Sequence, residues 1–169
     1  MGIIGLGRIG RATAKLADAF GMKVVAHSRR QIDPLASRGF QWLSVEEVFA
    51  QSDFVSLHCP QTPETSGFVN SELIARMKPT AVLINTARGG LINEQDLANS
   101  LNSDQIAGAL LDVVSVEPIE DSNPLLLAKN CVLTPHIAWS PIESRRRLMQ
   151  ATADNIEAFI AGHPINLVN

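Results

Sequence analysis

The stretch GIIGLGRIGRA, Gly2 to Ala12, places three closely spaced glycines directly after a short apolar run. Gly5-Leu6-Gly7-Arg8-Ile9-Gly10 satisfies GxGxxG, and it stands between a candidate strand and a candidate helix, the context that gives this spacing meaning. Each glycine then has a physical reason. Gly5 permits a tight turn, Gly7 lets backbone approach a pyrophosphate, and Gly10 lets helix and strand pack closely. The helix start, with Arg8 and Ile9, offers free N–H groups and a partial positive charge to phosphates. The other phosphate motif, GxxxxGK[ST], fails because Arg11 and Ala12 follow Gly10.

Outward from this turn, strand-type runs recur at residues 2–5, 23–27, 54–58, 81–85, 107–112 and 131–134, with a weaker one at 40–43. Most are nearly continuous apolar runs, as in strands covered on both faces. Helical patterns lie between them. Residues 9–20 have apolar positions at helical spacing and meet Gly21, a natural C-terminal stop. Ser44 and Glu47 make a capping box, and Asn93 caps residues 94–101. Ser140, Pro141 and Glu143 open a long helix that runs to about residue 161, before Gly162. Residues 115–123, with two prolines and several acids, read as an exposed loop. Strand–helix alternation of this kind predicts an α/β fold with a doubly wound parallel sheet, a Rossmann-type dinucleotide-binding domain over residues 1–169.

Composition narrows the function classes. The 169 residues are 46% hydrophobic and 18% charged with net charge -3, which suits a globular core and gives no basic footprint for nucleic acid. No apolar run approaches the roughly 20 residues of a membrane-spanning helix. The two cysteines, Cys59 and Cys131, form no CxxC pair, so a reducing, cytoplasmic setting is the simplest expectation. No metal site is expected: His27, His58 and His163 lack ligand spacing, and HExxH and GxSxG are absent.

The end of the second strand bears on the choice of dinucleotide. Where NAD-binding domains commonly carry an acid for the ribose hydroxyls, this chain has His27-Ser28-Arg29-Arg30. A hydroxyl and guanidinium groups bind a 2′-phosphate through charge-assisted bonds, which leans the expectation from NAD towards NADP. The alternative is that Arg29 and Arg30 are solvated loop charges.

The segments GIIGLGRIGRATAKLADAFGMKVVAHSRR, HCPQTPETSGFVN, LINTARGGLINEQDL, ALLDVVSVEP and LTPHIAWS cover nearly the whole chain in order. Together they resemble the D-isomer-specific 2-hydroxyacid dehydrogenases. The last motif, with Trp139 after His136-Ile137-Ala138, is similar to the glycerate dehydrogenase and hydroxypyruvate reductase branch. The resemblance implies an NAD(P)-dependent reductase of small 2-keto acids, with glyoxylate, hydroxypyruvate or glycerate favoured. It assigns the substrate carboxylate to Arg88, the proton to His136, and the acid partnering that histidine to Glu117. Such a carboxylate favours the imidazolium form. Arg88 also stands just past a strand's carboxyl end, where open α/β sheets bind ligands, and Gly89 and Gly90 would let backbone approach a substrate there. The alternatives are a structural ion pair for Arg88, a structural histidine at His136 and an ordinary loop acid at Glu117.

The same resemblance counts Cys59, Pro60 and Thr65 as cleft lining, Cys59 being read as a small buried thiol. It adds Thr86, Ala87, Asp112 and Ala138 as cofactor contacts. Asp112 is either near the nicotinamide carboxamide or a loop cap, and Trp139 either borders the substrate or belongs to the core. The family implies a homodimer, and a second domain whose segments flank the cofactor domain and have no counterpart here. It also includes transcriptional corepressors, so a dinucleotide-sensing binding protein is the competing class. With only one wall of the substrate cleft, the 169-residue chain is expected to bind a dinucleotide and turn over keto acids poorly. Turnover by this chain alone near the ~10 per second typical of enzymes would refute that expectation.

Overall fold

The computed structural model describes residues 1–31 and 39–168. The chain divides into two compact units, Met1–Pro135 and His136–Asn169. Strand–helix alternation, from which one domain over residues 1–169 is read, carries no signal for where a compact unit closes.

The first unit holds one seven-stranded sheet: β1 (Gly2–Ile4), β2 (Val25–His27), β3 (Gln41–Trp42), β4 (Phe54–Leu57), β5 (Val82–Asn85), β6 (Gly108–Leu111) and β7 (Cys131–Leu133). The order is β3-β2-β1-β4-β5-β6-β7, and every pairing is parallel. Chain order runs outward in both directions from β1, so the crevice between the carboxyl ends of β1 and β4 is the topological switch point. All six predicted strands and the weaker one at residues 40–43 are present, each trimmed at its ends.

Neighbouring residues of β1 point to opposite faces of the sheet. Ile4 joins Val55, Leu57, Leu83, Phe49, Ile74 and Leu97 in the larger core. Ile3 joins Ala14, Ala17, Val24 and Ala26 in the smaller one beneath α1 (Arg8–Ala19). The larger face is closed by α2 (Val45–Gln51), α3 (Ser71–Ile74) and α4 (Glu94–Asn102).

The helix ends follow their caps. Ser44 and Glu47 form the reciprocal capping box, with bonds of 2.9 and 3.1 Å, and Asn93 accepts from the Asp96 N–H at 3.1 Å. Gly21 ends α1 in the left-handed region at φ +79°, donating to the Asp18 carbonyl at 2.8 Å. Helix α3, capped by Asn70, was not anticipated, because a single turn shows no periodicity. The second unit carries α5 (Ile142–Ile160), which has no buried residue. Gly162 follows it at φ +78°, where the sequence placed its stop.

Gly10 shows how tightly α1 is seated, since a Cβ there would overlap the Gly5 carbonyl oxygen and press on Ile3. Gly10→Ala is expected to cost about 1–3 kcal/mol, read as a lower urea midpoint with an unchanged m-value.

Candidate functional site

At the switch point the backbone is drawn together by two bonds. Gly5 N–H donates to the His27 carbonyl at 2.8 Å, and His58 N–H donates to the Ile4 carbonyl at 2.7 Å. Gly5 is left-handed at φ +94°, and a Cβ on it would strike the backbone of His58 and Cys59. The tight turn requires glycine on both counts. A Cβ on Gly7 would instead meet nothing within 4 Å. Gly7 is the N-cap of α1, no side chain caps it and no acid occupies the first turn. By contrast, Ser44, Asn70 and Asn93 cap α2, α3 and α4 with their own oxygens. A helix start with open space before it and no internal anion suits a phosphate.

The space before α1 belongs to a cleft of about 690 Å³, within the range of cofactor sites. Gly5, Gly7, Ser28, Arg29, Arg30, Cys59, Pro60 and Thr65 all line it. Arg8 and Ile9 are exposed at the helix start, while Gly10 is buried against the turn. Among the described residues, these groups fit a dinucleotide: bare N–H groups for the pyrophosphate, and a hydroxyl with two guanidinium groups where β2 ends.

One lining residue escaped the sequence reading. Glu64 shares the cleft with Arg29 and Arg30. A hydrogen bond with Thr62 holds its carboxyl below the usual glutamate range, and the charge of Arg29 adds a smaller pull. The cleft therefore contains a carboxylate as well as the two cations.

Other lining groups are structural. The Thr65 hydroxyl donates to the Pro60 carbonyl at 2.9 Å and accepts from the Thr62 N–H at 2.7 Å, so it shapes its own loop. Cys59 is half-buried, and burial pushes its thiol up, away from reactive thiolate. His58 Nε2 lies 2.9 Å from the Ser56 hydroxyl, and burial pushes its imidazole down towards the neutral form.

Further along the sheet, β5 ends in Asn85, which is fully buried. Its amide accepts from the Ala87 N–H at 3.0 Å and donates to the Arg88 carbonyl at 2.9 Å. That pair of bonds turns the chain through Thr86 and Ala87 and leaves Arg88 exposed. The guanidinium donates to the Ala87 carbonyl at 2.6 Å, and among the described residues no carboxylate pairs with it. Asn85 was missed, although an amide closing an apolar strand is a visible anomaly.

The glycines after Arg88 also face other parts of the chain. A Cβ on Gly89 would overlap the backbone of Val114 and Ser115, and one on Gly90 would strike the Gln61 side chain. Gly89 lets two loops of the protein touch backbone to backbone, whereas at Gly90 only the movable tip of Gln61 stands close.

Val114 begins the loop carrying Glu117. Glu117 is exposed, and its Oε1 accepts from the Val114 N–H at 3.3 Å. Asp112 is buried, donates its N–H to the Asn85 carbonyl at 2.9 Å, and accepts from the Thr134 hydroxyl at 2.5 Å. It thereby joins the ends of β5, β6 and β7.

His136 and Ala138 are exposed residues of the second unit. His136 is left-handed at φ +52°, uncommon for a side-chain-bearing residue. Its carbonyl accepts from Trp139 Nε1 at 2.7 Å, and Ser140 N–H returns to the Ile137 carbonyl at 2.9 Å, closing a compact turn. Trp139 is 55% exposed.

Residues 1–138 match the family model described as "D-isomer specific 2-hydroxyacid dehydrogenase, NAD binding domain". The chain belongs to this family. It is 53% identical over 169 residues to a hydroxypyruvate reductase of Blautia hydrogenotrophica, covering 100% of this chain and 52% of that protein. It is 43% identical over 170 residues to a glycerate dehydrogenase of Methylorubrum extorquens, covering 99% and 52%. Among solved structures, an acyclic imino acid reductase (Bsp5) in complex with NADPH and D-Arg superposes with a TM-score of 0.89 at 38% identity, covering 99% of this chain and 53% of that one. An NAD-complexed D-isomer specific 2-hydroxyacid dehydrogenase from Lactobacillus delbrueckii ssp. bulgaricus gives 0.87 at 31%, covering 99% and 55%. The chain spans about half the length of the curated relatives it matches.

The open space at Gly7 yields a prediction with two opposed signs. Serine is a favoured N-cap, so Gly7→Ser should leave stability unchanged or raise it by a few tenths of a kcal/mol. Its hydroxymethyl group fills the phosphate space, so dinucleotide affinity should fall by about tenfold or more. Thermal melts and cofactor fluorescence titration on one preparation read both.

Proposed function

We propose that the intact protein interconverts a small 2-keto acid and its D-2-hydroxy acid with NAD(P)H, glyoxylate and hydroxypyruvate being the favoured substrates. The observation that carries this reading is Arg88. It is an exposed guanidinium at the carboxyl end of β5, aimed by the buried Asn85 amide, on the sheet edge that also bears the dinucleotide cleft. The names of similar proteins, hydroxypyruvate reductase and glycerate dehydrogenase, support the substrate class.

When bound, the nicotinamide supplies or accepts a hydride at the substrate's C2. Arg88 receives the substrate carboxylate in a two-pronged, charge-assisted contact, which fixes the ketone and polarises it. His136 gives a proton to the ketone oxygen as that carbon is reduced, and takes the hydroxyl proton in the reverse direction. Glu117 is assigned as the acid that partners this histidine. The pyrophosphate is assigned to Gly7 and the start of α1 with Arg8 and Ile9, and further cofactor contacts to Thr86, Ala87 and Ala138.

For the cofactor, Ser28, Arg29 and Arg30 support NADPH, while Glu64 in the same cleft opposes a 2′-phosphate. The similar solved structures hold NADPH in one case and NAD in another. The cleft cations tip the proposal towards NADPH. A cytoplasmic setting is supported by two free cysteines. A homodimer is supported by the exposed apolar side chains of Leu110 and Val132 on neighbouring strands.

Steady-state kinetics of the intact protein with glyoxylate, hydroxypyruvate and pyruvate, each with NADH and NADPH, tests the proposal. Arg88→Gln should lower kcat/KM by on the order of a hundredfold or more. His136→Asn should lower kcat by a similar factor while dinucleotide affinity stays within about twofold. Absence of turnover with every keto acid, or an unimpaired His136→Asn variant, overturns the reading in favour of a dinucleotide-sensing protein.

A further inference from the structure

Between β6 and the 3-10 turn Pro124–Leu127, the chain passes through residues 113–123 without a helix or strand of its own. Glu117 sits on this loop, and an irregular loop does not by itself hold a charged side chain at a fixed place. One carboxylate fastens both of its ends. Glu94 Oε1 accepts from the Ser115 N–H at 2.6 Å, and its Oε2 accepts from the Ser115 hydroxyl at 2.7 Å and the Asn123 side-chain amide at 2.9 Å. Glu94 is the first residue of α4, directly downstream of the Arg88 turn. Between the two loops, Gly89 lies against the backbone of Val114 and Ser115 with no room for a Cβ. The Arg88 loop and the Glu117 loop therefore share a single joint, one half packing and the other half hydrogen bonds accepted by one carboxylate.

We propose that Glu94 is a positioning residue whose carboxylate holds the Glu117 loop against the Arg88 loop, and so sets the spacing of the substrate-binding guanidinium and the acid assigned to the proton-transferring histidine. This rests on the roles given above to Arg88 and Glu117. Three donors converge on Glu94, and only an ionised carboxylate offers acceptors to all of them. Glutamine would turn an NH₂ towards an N–H or amide that already donates. It keeps the size of the side chain and breaks the joint. Aspartate, one methylene shorter, retracts the acceptors from both loop ends.

The test is made on the intact protein, with Glu94→Gln and Glu117→Gln measured side by side. Because a displacement of about 1 Å at a reacting group costs up to a hundredfold, Glu94→Gln is expected to lower kcat/KM by at least about tenfold. It should displace the pH–rate profile in the same direction as Glu117→Gln, with NADH and NADPH dissociation constants within about twofold of the parent. Adding Asn123→Asp to Glu94→Gln restores one hydrogen bond with donor and acceptor exchanged, and should recover at least about threefold of the lost rate.

A Glu94→Gln variant that keeps its rate, or loses rate with an unmoved profile, overturns the proposal and leaves Glu94 a purely structural acid. If Glu117→Gln alone leaves rate and profile untouched, the role given to Glu117 fails and the positioning role fails with it. If Glu117→Gln acts and Glu94→Gln does not, only the positioning role fails. Should Glu94→Gln not fold, Ser115→Ala removes the hydroxyl bond while leaving the backbone bond. A smaller displacement of the profile in the same direction supports the joint, and an unmoved profile overturns it.

Discussion

Where β1 ends, the backbone of Gly5 runs so close to His58 and Cys59 that no side chain fits between them. The two parallel bonds that hold this approach, from Gly5 to His27 and from His58 to Ile4, lie where the strand order reverses. Reversal sends the following segments to opposite sides, so the crevice above β1 and β4 stays free of crossing chain. The start of α1 is then aimed into that crevice by Gly10 packing on the Gly5 carbonyl. Strand order, turn and helix direction are thus one constraint seen at three scales. The phosphate-sized gap before Gly7 is what it leaves over.

Much of this was legible in the amino-acid order because its causes are local. A glycine at the end of α1 or α5, a serine three residues before a glutamate, and an apolar run four or five residues long each act within one or two turns of chain. What stayed hidden acts across the fold. Gly89 looks like freedom of approach in the sequence, and its close fit against Val114 is fixed only when the loops meet. Glu94 reads as a routine acid at a helix start, and only the arrival of Ser115 and Asn123 makes it a joint. Asn85 carried a weak local signal, a polar end to an apolar strand, whose meaning depended on the turn it closes.

The candidate cofactor cleft shows a similar split between sign and arrangement. Arg29 and Arg30 are adjacent in the chain, so their joint positive charge is plain in the sequence. Glu64 belongs to another loop and enters the same cleft only through the fold. Because all three groups are at or near the surface, salt screens their mutual attraction, and an incoming phosphate competes with a carboxylate that water already solvates.

The left-handed backbone at His136 bears on the fate of this chain under mutation. That conformation costs an imidazole-bearing residue about 1 kcal/mol, and glycine or asparagine relieves the cost. Replacement by asparagine or glycine would therefore lower the backbone energy while removing the imidazole to which the proposed reading gives the proton. For those two replacements backbone stability offers no restraint. The turn that holds residue 136 would then survive the loss of its side chain, because its bonds run through the His136 carbonyl and the Ile137 carbonyl.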